Sequence, residues 1–103
     1  MEISYLPKAK NFIEKLDDVL VERVLSSIDF LERYGSSLEM PLSKPLGKGL
    51  FELRIAGNVH IRVFYCFHRN TVYILHAIIK KQQAIPKREV DLARKIMKEI
   101  VLI

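Results

Sequence analysis

Two neighbouring segments, residues 51–55 and 59–63, alternate strictly between apolar and polar side chains, and this period constrains the fold more than any other feature of the sequence. A period of two is typical of a β-strand that packs one face on a core. The polar positions of the two segments are Glu52, Arg54, His60 and Arg62. We expect a hairpin whose apolar face covers the core and whose other face gathers these four side chains.

The connection between the two strands decides which side chains are neighbours. A two-residue turn would pair Leu53 with Arg62 and put charge on the apolar side of the sheet. A three-residue connection over 56–58, with one residue in the left-handed conformation, instead pairs Arg54 with His60 and Glu52 with Arg62. The pattern therefore predicts the three-residue connection, with both arginines on the polar face.

The segments before the hairpin predict one strand and two helices. Residues 2–5 alternate like a short edge strand, and apolar side chains recur at helical spacing over 9–16 and again over 21–34. Gly35 is typical of a helix end, because glycine readily adopts the left-handed conformation found there. Residues 36–49 contain two prolines, two glycines and three serines, which predicts a loop.

The segments after the hairpin predict buried strands and a final helix. Nearly continuous apolar runs, over 63–67 and 71–79, are typical of central strands covered on both faces. Pro86 suits the start of a helix, where its missing N–H is not needed. The apolar stripe of this helix consists of Val90, Ala93, Ile96, Met97 and Ile100. With 103 residues, half of them apolar, we expect one domain spanning residues 1–103.

Charge and cysteine content narrow the function classes. Seventeen Lys and Arg against twelve Asp and Glu give a net charge of +5, which favours an anionic partner such as nucleic acid or an acidic protein. One cysteine cannot form an internal disulfide, and the N-terminal residues lack the pattern of a signal peptide, so we expect a cytoplasmic protein. No apolar run approaches the roughly 18 residues of a membrane span, so no membrane partner is expected.

A metal site is the remaining possibility that the residue types raise. His60, Cys66 and His68 share one strand parity, but the first two are separated by about 20 Å along an extended strand, too far for one zinc ion. The Gly47-Lys48-Gly49 segment lacks the spacing of a phosphate-binding loop. We therefore expect neither a metal nor a cofactor.

Four local patterns resemble the RelE/ParE toxin superfamily of bacterial type II toxin–antitoxin modules, in particular its phage-derived HigB-like branch. They are L-F-E-L-R-I at 50–55, I-R-V-F-Y at 61–65, K-K at 80–81 and P-K-R-E-V-D-L-A at 86–93. The resemblance implies a RelE-like α+β fold, in which two N-terminal helices pack on a twisted, mainly antiparallel sheet of about four strands and a C-terminal helix follows.

The same resemblance implies a function and its partners. Ribonucleolytic members of the family cleave mRNA, usually on the ribosome and without a metal, by attack of a 2′-hydroxyl on its own 3′-phosphate. Fixed cations stabilise the negative charge that develops in such a reaction, and arginine can hold two phosphate oxygens at once. We therefore expect an mRNA endoribonuclease toxin whose partners are mRNA, the ribosome and a cognate antitoxin. The antitoxin is expected to be a helix-turn-helix protein that forms a hetero-oligomer with the toxin.

The resemblance assigns the basic residues to catalysis and RNA binding. Arg54 and Arg62 match positions where the family commonly has catalytic cations on adjacent strands. Lys80 and Lys81 match the basic pair after the last core strand and are expected to contact RNA. The structural alternative is that the arginines only form ion pairs and that the lysines only solvate a strand end.

The other candidates rest on residue chemistry. His60 is a candidate general base, because an imidazole accepts or donates a proton near neutral pH. Glu52 is either a second candidate base or the residue that orients Arg62. Lys48, Lys87 and Arg88 are expected to bind RNA, since they are basic and lie in a turn or on the outer face of the last helix.

Two other functions are consistent with the same resemblance. The chain could be a non-nuclease, ParE-like toxin that inhibits DNA gyrase, or a catalytically inactive homologue that binds an antitoxin or nucleic acid. ParE-like members generally lack the catalytic cations, so the arginines favour the ribonuclease. The ribonucleases often carry a catalytic residue near the C-terminus, whereas residues 99–103 read E-I-V-L-I, an apolar tail that could pack on the sheet or on an antitoxin.

Overall fold

A computed structural model of the chain, which describes residues 1–101, has a five-stranded sheet with helices on both faces. The elements in chain order are β1 (Glu2–Tyr5), α1 (Pro7–Glu14), α2 (Asp18–Tyr34), a 3-10 turn (Gly35–Ser37), β2 (Ser43–Gly47), β3 (Leu50–Ile55), β4 (His60–His68), β5 (Thr71–Lys80) and α3 (Lys87–Val101). The strand order is β1-β5-β4-β3-β2, and only β1 and β5 run parallel. The α+β class is as predicted, whereas the sheet is mixed and has five strands rather than about four.

The two N-terminal helices begin and end at residues that suit helix termini. Pro7 occupies the first position of α1, where no backbone N–H is required. The side chain of Asp17 accepts the backbone N–H of Leu20 at 2.9 Å and so caps α2. Gly35 ends α2 with a φ of 54°, as the sequence predicts.

The apolar face of the central strands packs on α1 and α2. Its fully or almost fully buried side chains include Leu53, Ile55, Ile61, Val63 and Tyr65. The Tyr65 hydroxyl forms a buried hydrogen bond with the Ser43 hydroxyl. Tyr65 therefore packs in this core with its hydroxyl satisfied.

The opposite face of the sheet is only partly covered, by α3. Buried side chains on this side are Leu50, Phe64, Cys66, Leu75 and Ile78, and Ala93 of α3 packs against them. The predicted apolar stripe of the last helix is confirmed, because all five of its members belong to this second core. The polar side chains of β3 and β4 lie on the same face as this core.

The predicted loop over 36–49 contains a strand, β2, that the sequence reasoning missed. Pro45 has no N–H to donate and normally argues against a strand, but β2 is an edge strand with β3 as its sole neighbour. A register shift between Pro45 and Gly47 then bends β2 into the turn at Lys48. The strand is short and irregular, so its alternation is hard to recognise from the sequence.

The register between β3 and β4 differs from the predicted one by two residues. Arg54 lies directly opposite Arg62, and Glu52 lies opposite Phe64, so the predicted pairs Arg54–His60 and Glu52–Arg62 are wrong. A shift of two keeps every side chain on its face. The prediction that both arginines share the polar face is therefore confirmed.

The connection between the strands is longer than predicted. Ile61 is completely buried opposite Ile55, and Val59 lies in the connection before β4 begins at His60. The guanidinium of Arg23 donates a hydrogen bond to the carbonyl oxygen of Ala56 at 2.9 Å and fixes the start of the connection.

The apolar C-terminal tail is described only in part, since Leu102 and Ile103 lie outside the described residues. The prediction that the tail packs on the sheet or on an antitoxin therefore stays a prediction. Of the helices within residues 1–101, none combines the length and the apolar character needed to cross a membrane.

Candidate functional site

Three of the predicted catalytic residues form one connected cluster on the sheet face that also carries α3. The Glu52 atom Oε1 lies 2.9 Å from Nε of Arg54 and 3.2 Å from Nε of Arg62. The carboxylate therefore bridges two guanidinium groups that face each other across adjacent strands. Like charges directly opposite each other destabilise a strand pair, so the bridging carboxylate compensates a repulsion that the register creates.

The two arginines differ sharply in exposure. The side chain of Arg62 is 8% exposed and that of Glu52 is 5% exposed, whereas that of Arg54 is 29% exposed. Arg62 donates from Nη1 to its neighbour's carbonyl, Ile61 O, at 3.2 Å. Its Nε is close to Glu52 but misaligned for a hydrogen bond, and it makes none to any other group within residues 1–101. Arg54 is consequently the member of the cluster that an external ligand can reach.

His60 and Lys80 lie beside this cluster on the same face. They are register partners across β4 and β5, and His60 is two residues from Arg62 along β4. His60 is therefore a diagonal neighbour of Arg54, with their side chains starting about 7–8 Å apart. His60 is exposed, and Lys81 is exposed just after β5 ends. We call the polar surface formed by Glu52, Arg54, His60, Arg62 and Lys80 the arginine face. Lys81 follows directly at its edge.

The other predicted RNA-binding residues are placed elsewhere. Lys48 lies in the β2–β3 turn, about 15–20 Å from Arg54 along an extended strand. Lys87 begins α3 and forms an exposed ion pair with Asp91 at 2.7 Å, while the neighbouring Arg88 is exposed. The structure thus does not bring Lys48 to the arginine face.

Sequence reasoning missed one basic residue on the arginine face. Lys44 of β2 is the register partner of Glu52, so its exposed side chain starts from the same side of the sheet. The alternation of Lys44 with Leu46, which packs on the second core, is the pattern from which Lys44 could have been predicted. We did not assign a strand there because Pro45, between them, is more typical of a loop.

A second polar contact fixes α3 against the sheet. His76 of β5 lies with Nε2 3.0 Å from Glu89 Oε1 and stacks on Phe64, with ring centroids 5.8 Å apart. The first turn of α3 is thereby held on the central strands.

Charge is distributed unevenly along the chain. Residues 1–42, which include α1 and α2, contain five Lys and Arg against eight Asp and Glu, whereas residues 43–103 contain twelve against four. The modest net charge of +5 therefore conceals an acidic segment, residues 1–42, and a strongly basic segment, residues 43–103. A polyanion is attracted to the second segment more than to the first.

The residue types at the site do not suggest a metal centre. Within residues 1–101, no group of three or more His, Cys, Asp or Glu side chains is arranged to hold a metal ion. Cys66 is buried in the second core, and this burial raises the pKa of its thiol to about 11. The thiol is therefore protonated at neutral pH and is a poor nucleophile or ligand.

The chain matches a protein-family model described as Phage derived protein Gp49-like (DUF891), over residues 11–98. The matched segment contains the arginine face and all the other predicted site residues. None of the curated proteins matches the chain.

Proposed function

Because the chain belongs to the phage-derived Gp49-like family, part of the RelE/HigB-like toxin superfamily, we propose that it is the toxin of a type II toxin–antitoxin module and cleaves mRNA. The observation that carries the proposal is the arrangement of Arg54 opposite Arg62, bridged by Glu52, on a sheet face with further cations at its edge. Such an arrangement suits a phosphate that gains negative charge during the reaction.

The proposed reaction needs only groups of the RNA and the protein. The 2′-oxygen forms a bond to the adjacent phosphorus, the bond to the 5′-oxygen of the next nucleotide breaks, and a cyclic phosphate remains. One proton leaves the 2′-hydroxyl and one is added to the departing 5′-oxygen. The protein must therefore stabilise an anionic phosphorane and move two protons.

Arg54 is the residue that we assign to the phosphate. Its Nε is used by Glu52, which holds the side chain in place and leaves the terminal Nη groups for two phosphate oxygens. A guanidinium held in position before the reaction stabilises the transition state without having to be ordered during it.

Arg62 and Glu52 are assigned positioning roles. Arg62 is too buried to contact RNA directly, but its charge lies behind Arg54 and adds to the positive field at the phosphate. Glu52 is almost completely buried and contacts both arginines, so we assign it to their orientation and not to proton abstraction.

His60 is assigned to proton transfer. It is exposed, lies diagonal to Arg54 and has Lys80 as its register partner. A spacing of 7–8 Å between these side-chain origins leaves room for a nucleotide phosphate and its 2′-hydroxyl between imidazole and guanidinium. The phosphates on either side of the cut are then bound by Lys44, Lys80 and Lys81. The RNA continues along α3, where it contacts Lys87 and Arg88.

The proposed partners follow from the same assignment. A strongly basic side suits mRNA in the ribosome, whose surface is largely phosphate, and an antitoxin that covers this side would silence the toxin. We propose a hetero-oligomer with a cognate antitoxin of the helix-turn-helix type. An antitoxin that carries acidic residues opposite the arginine face would form complementary ion pairs.

One observation favours the alternative that the chain does not cut RNA. It would then be a homologue that binds nucleic acid or antitoxin, or a toxin directed at gyrase. Arg62 is enclosed in an ion pair, so only one arginine of the pair is accessible to a substrate. A face built mainly for structure would have this appearance as well. The two candidates differ in what happens to transcripts.

The decisive experiment is primer extension on cellular mRNA after brief induction of the toxin. We expect discrete cuts within translated codons for the unchanged chain and none for Arg54→Gln. Lys10→Gln is the matched control, because it removes one exposed cation from α1, on the other face of the sheet, and should leave the cuts unchanged. Intact transcripts together with DNA-damage signalling would assign the protein to the gyrase-directed class. Cuts that persist in Arg54→Gln would remove Arg54 from the reaction.

A further inference from the structure

A cleft of about 630 Å³ lies between the β2–β3 turn, the end of β4 and the C-terminal half of α3. Its apolar lining includes Cys66, Met97 and Val101. Beyond the pairing of β3 with β4, which ends at Phe51 and Tyr65, this edge of β4 is open to the cleft. The volume is within the range of pockets that bind small organic ligands.

The rim of the cleft is basic. Lys48 from the turn and Lys95 and Lys98 from α3 line it, and all three are exposed. Within residues 1–101 none of the three belongs to an ion pair, whereas the one acidic residue of the lining, Asp91, is paired with Lys87. Three uncompensated cations around an apolar floor suit a ligand with a flat apolar part and an anionic part.

The turn that carries Lys48 is held in place. Arg94 of α3 donates hydrogen bonds to the carbonyl oxygens of Leu46 and Gly47 at 2.7 and 2.9 Å. Lys48 itself has a φ of 54°, in the left-handed region that a lysine adopts at some energetic expense. The backbone of Lys48 is therefore held at the mouth of the cleft.

We propose that the cleft binds one nucleotide of a single-stranded RNA, with its base on the apolar floor and its phosphate among Lys48, Lys95 and Lys98. The choice of RNA as the ligand rests on the proposed function, while the pocket and its charges stand without it. Cys66 of the cleft and Arg62 of the arginine face are four residues apart on β4, about 13 Å. The cleft is thus a subsite separate from the arginine face, placed to hold a nucleotide away from the cut and to contribute base preference.

The three methionines of the chain allow ligand binding at the cleft to be distinguished from binding elsewhere in solution. Met97 lines the cleft, whereas Met1 and Met40 are exposed elsewhere. We would label the full chain with ¹³C-methyl methionine and titrate it separately with the four nucleoside 5′-monophosphates and with inorganic phosphate. The expected result is a saturable shift of the Met97 methyl signal with at least one nucleotide, a much weaker response to phosphate, and no shift of the other two signals.

Charge-neutral variants test the phosphate contact. Lys95→Gln and Lys98→Gln keep the helix propensity and side-chain length of α3, and each should weaken nucleotide binding by about three- to fivefold. Lys8→Gln combined with Lys10→Gln is the matched control on α1, where binding should not change. Lys48→Asn removes the third cation and suits the left-handed backbone, so a loss of binding there would not reflect a loss of folding.

The outcomes separate this inference from the proposed function. If the Met97 signal does not respond to any nucleotide while mRNA is still cut, the nucleotide subsite is refuted and the nuclease stands. If Met97 responds and the lysine variants weaken the response while no mRNA is cut, the subsite stands and the nuclease fails. A Met97 shift produced by an acidic peptide, such as hexaglutamate flanked by leucines, but by no nucleotide would overturn the inference in favour of a protein partner.

Discussion

Replacing Glu52 with glutamine tests whether one buried carboxylate holds the two arginines in place. The variant keeps the shape of the side chain but removes the charge that lies within 3.2 Å of both Nε atoms. Arg62 is then left as a buried cation without a counter-charge. Arg54 is partly exposed, so water compensates much of its loss.

The expected magnitude follows from these burials. Removing one partner of a buried ion pair destabilises a protein by about 3–5 kcal/mol, and the lower half of this range applies here because Arg62 still donates to a backbone carbonyl. Arg62→Met should cost less, about 1–2 kcal/mol, because Glu52 keeps its contact with Arg54. In the double variant, the combined loss should be smaller than the sum of the single losses by about 2 kcal/mol.

Urea unfolding of the four proteins measures this coupling. With an m-value of about 1–1.5 kcal/mol per molar urea, the Glu52→Gln change should lower the midpoint by about 2–4 M. The control is the exposed pair of Lys87 and Asp91, where Asp91→Asn should change the free energy of unfolding by less than about 0.5 kcal/mol. A Glu52–Arg62 coupling no larger than that of the control would show that the bridge does not hold the arginines.

Two further predictions concern the side of the molecule covered by α3. Arg94→Met removes two hydrogen bonds to the β2–β3 turn and should lower the free energy of unfolding by about 2–3 kcal/mol, against less than about 0.5 kcal/mol for Lys95→Met, both measured in urea. Burial raises the pKa of the Cys66 thiol to about 11, so at pH 8 a thiol reagent should label the folded chain about 100-fold more slowly than the unfolded one. Equal labelling rates for the folded and unfolded chains would contradict the burial. The raised pKa also makes the stability depend on pH: its contribution is fully present below the unfolded-state pKa of the thiol and is lost as the pH rises through about 11. The Cys66→Ala variant should not show this loss of stability.

The faces of the strands were predictable from the sequence, but their register was not. The alternation around Arg54 and Arg62 fixes which side of the sheet each side chain takes, because the side-chain period of a strand is two. The choice between neighbouring registers of the same parity depends on how Ile61 fits against Ile55 in the core. That fit is a property of the packed structure, so the register cannot be predicted from the length of the connection alone.

The burial of the candidate site was likewise beyond the sequence. A pattern that puts Glu52, Arg54 and Arg62 on one face cannot show that the carboxylate bridges both arginines or that one of them is enclosed. These outcomes depend on the register that places Arg62 opposite Arg54 and on the packing around them, neither of which the alternation of the sequence contains. The presence of the α3 stripe, by contrast, followed directly from its helical spacing.

The separation of the acidic residues 1–42 from the basic residues 43–103 gives the molecule a permanent electric dipole. As it approaches a polyanion, the torque on this dipole turns the basic side forward before any atoms touch, so a larger fraction of collisions begins in a productive orientation. At physiological ionic strength this guidance acts only within about 8 Å, the screening length of the solvent. The speed of capture should therefore fall steeply with added salt, even where the affinity of the final complex depends on a few fixed side chains.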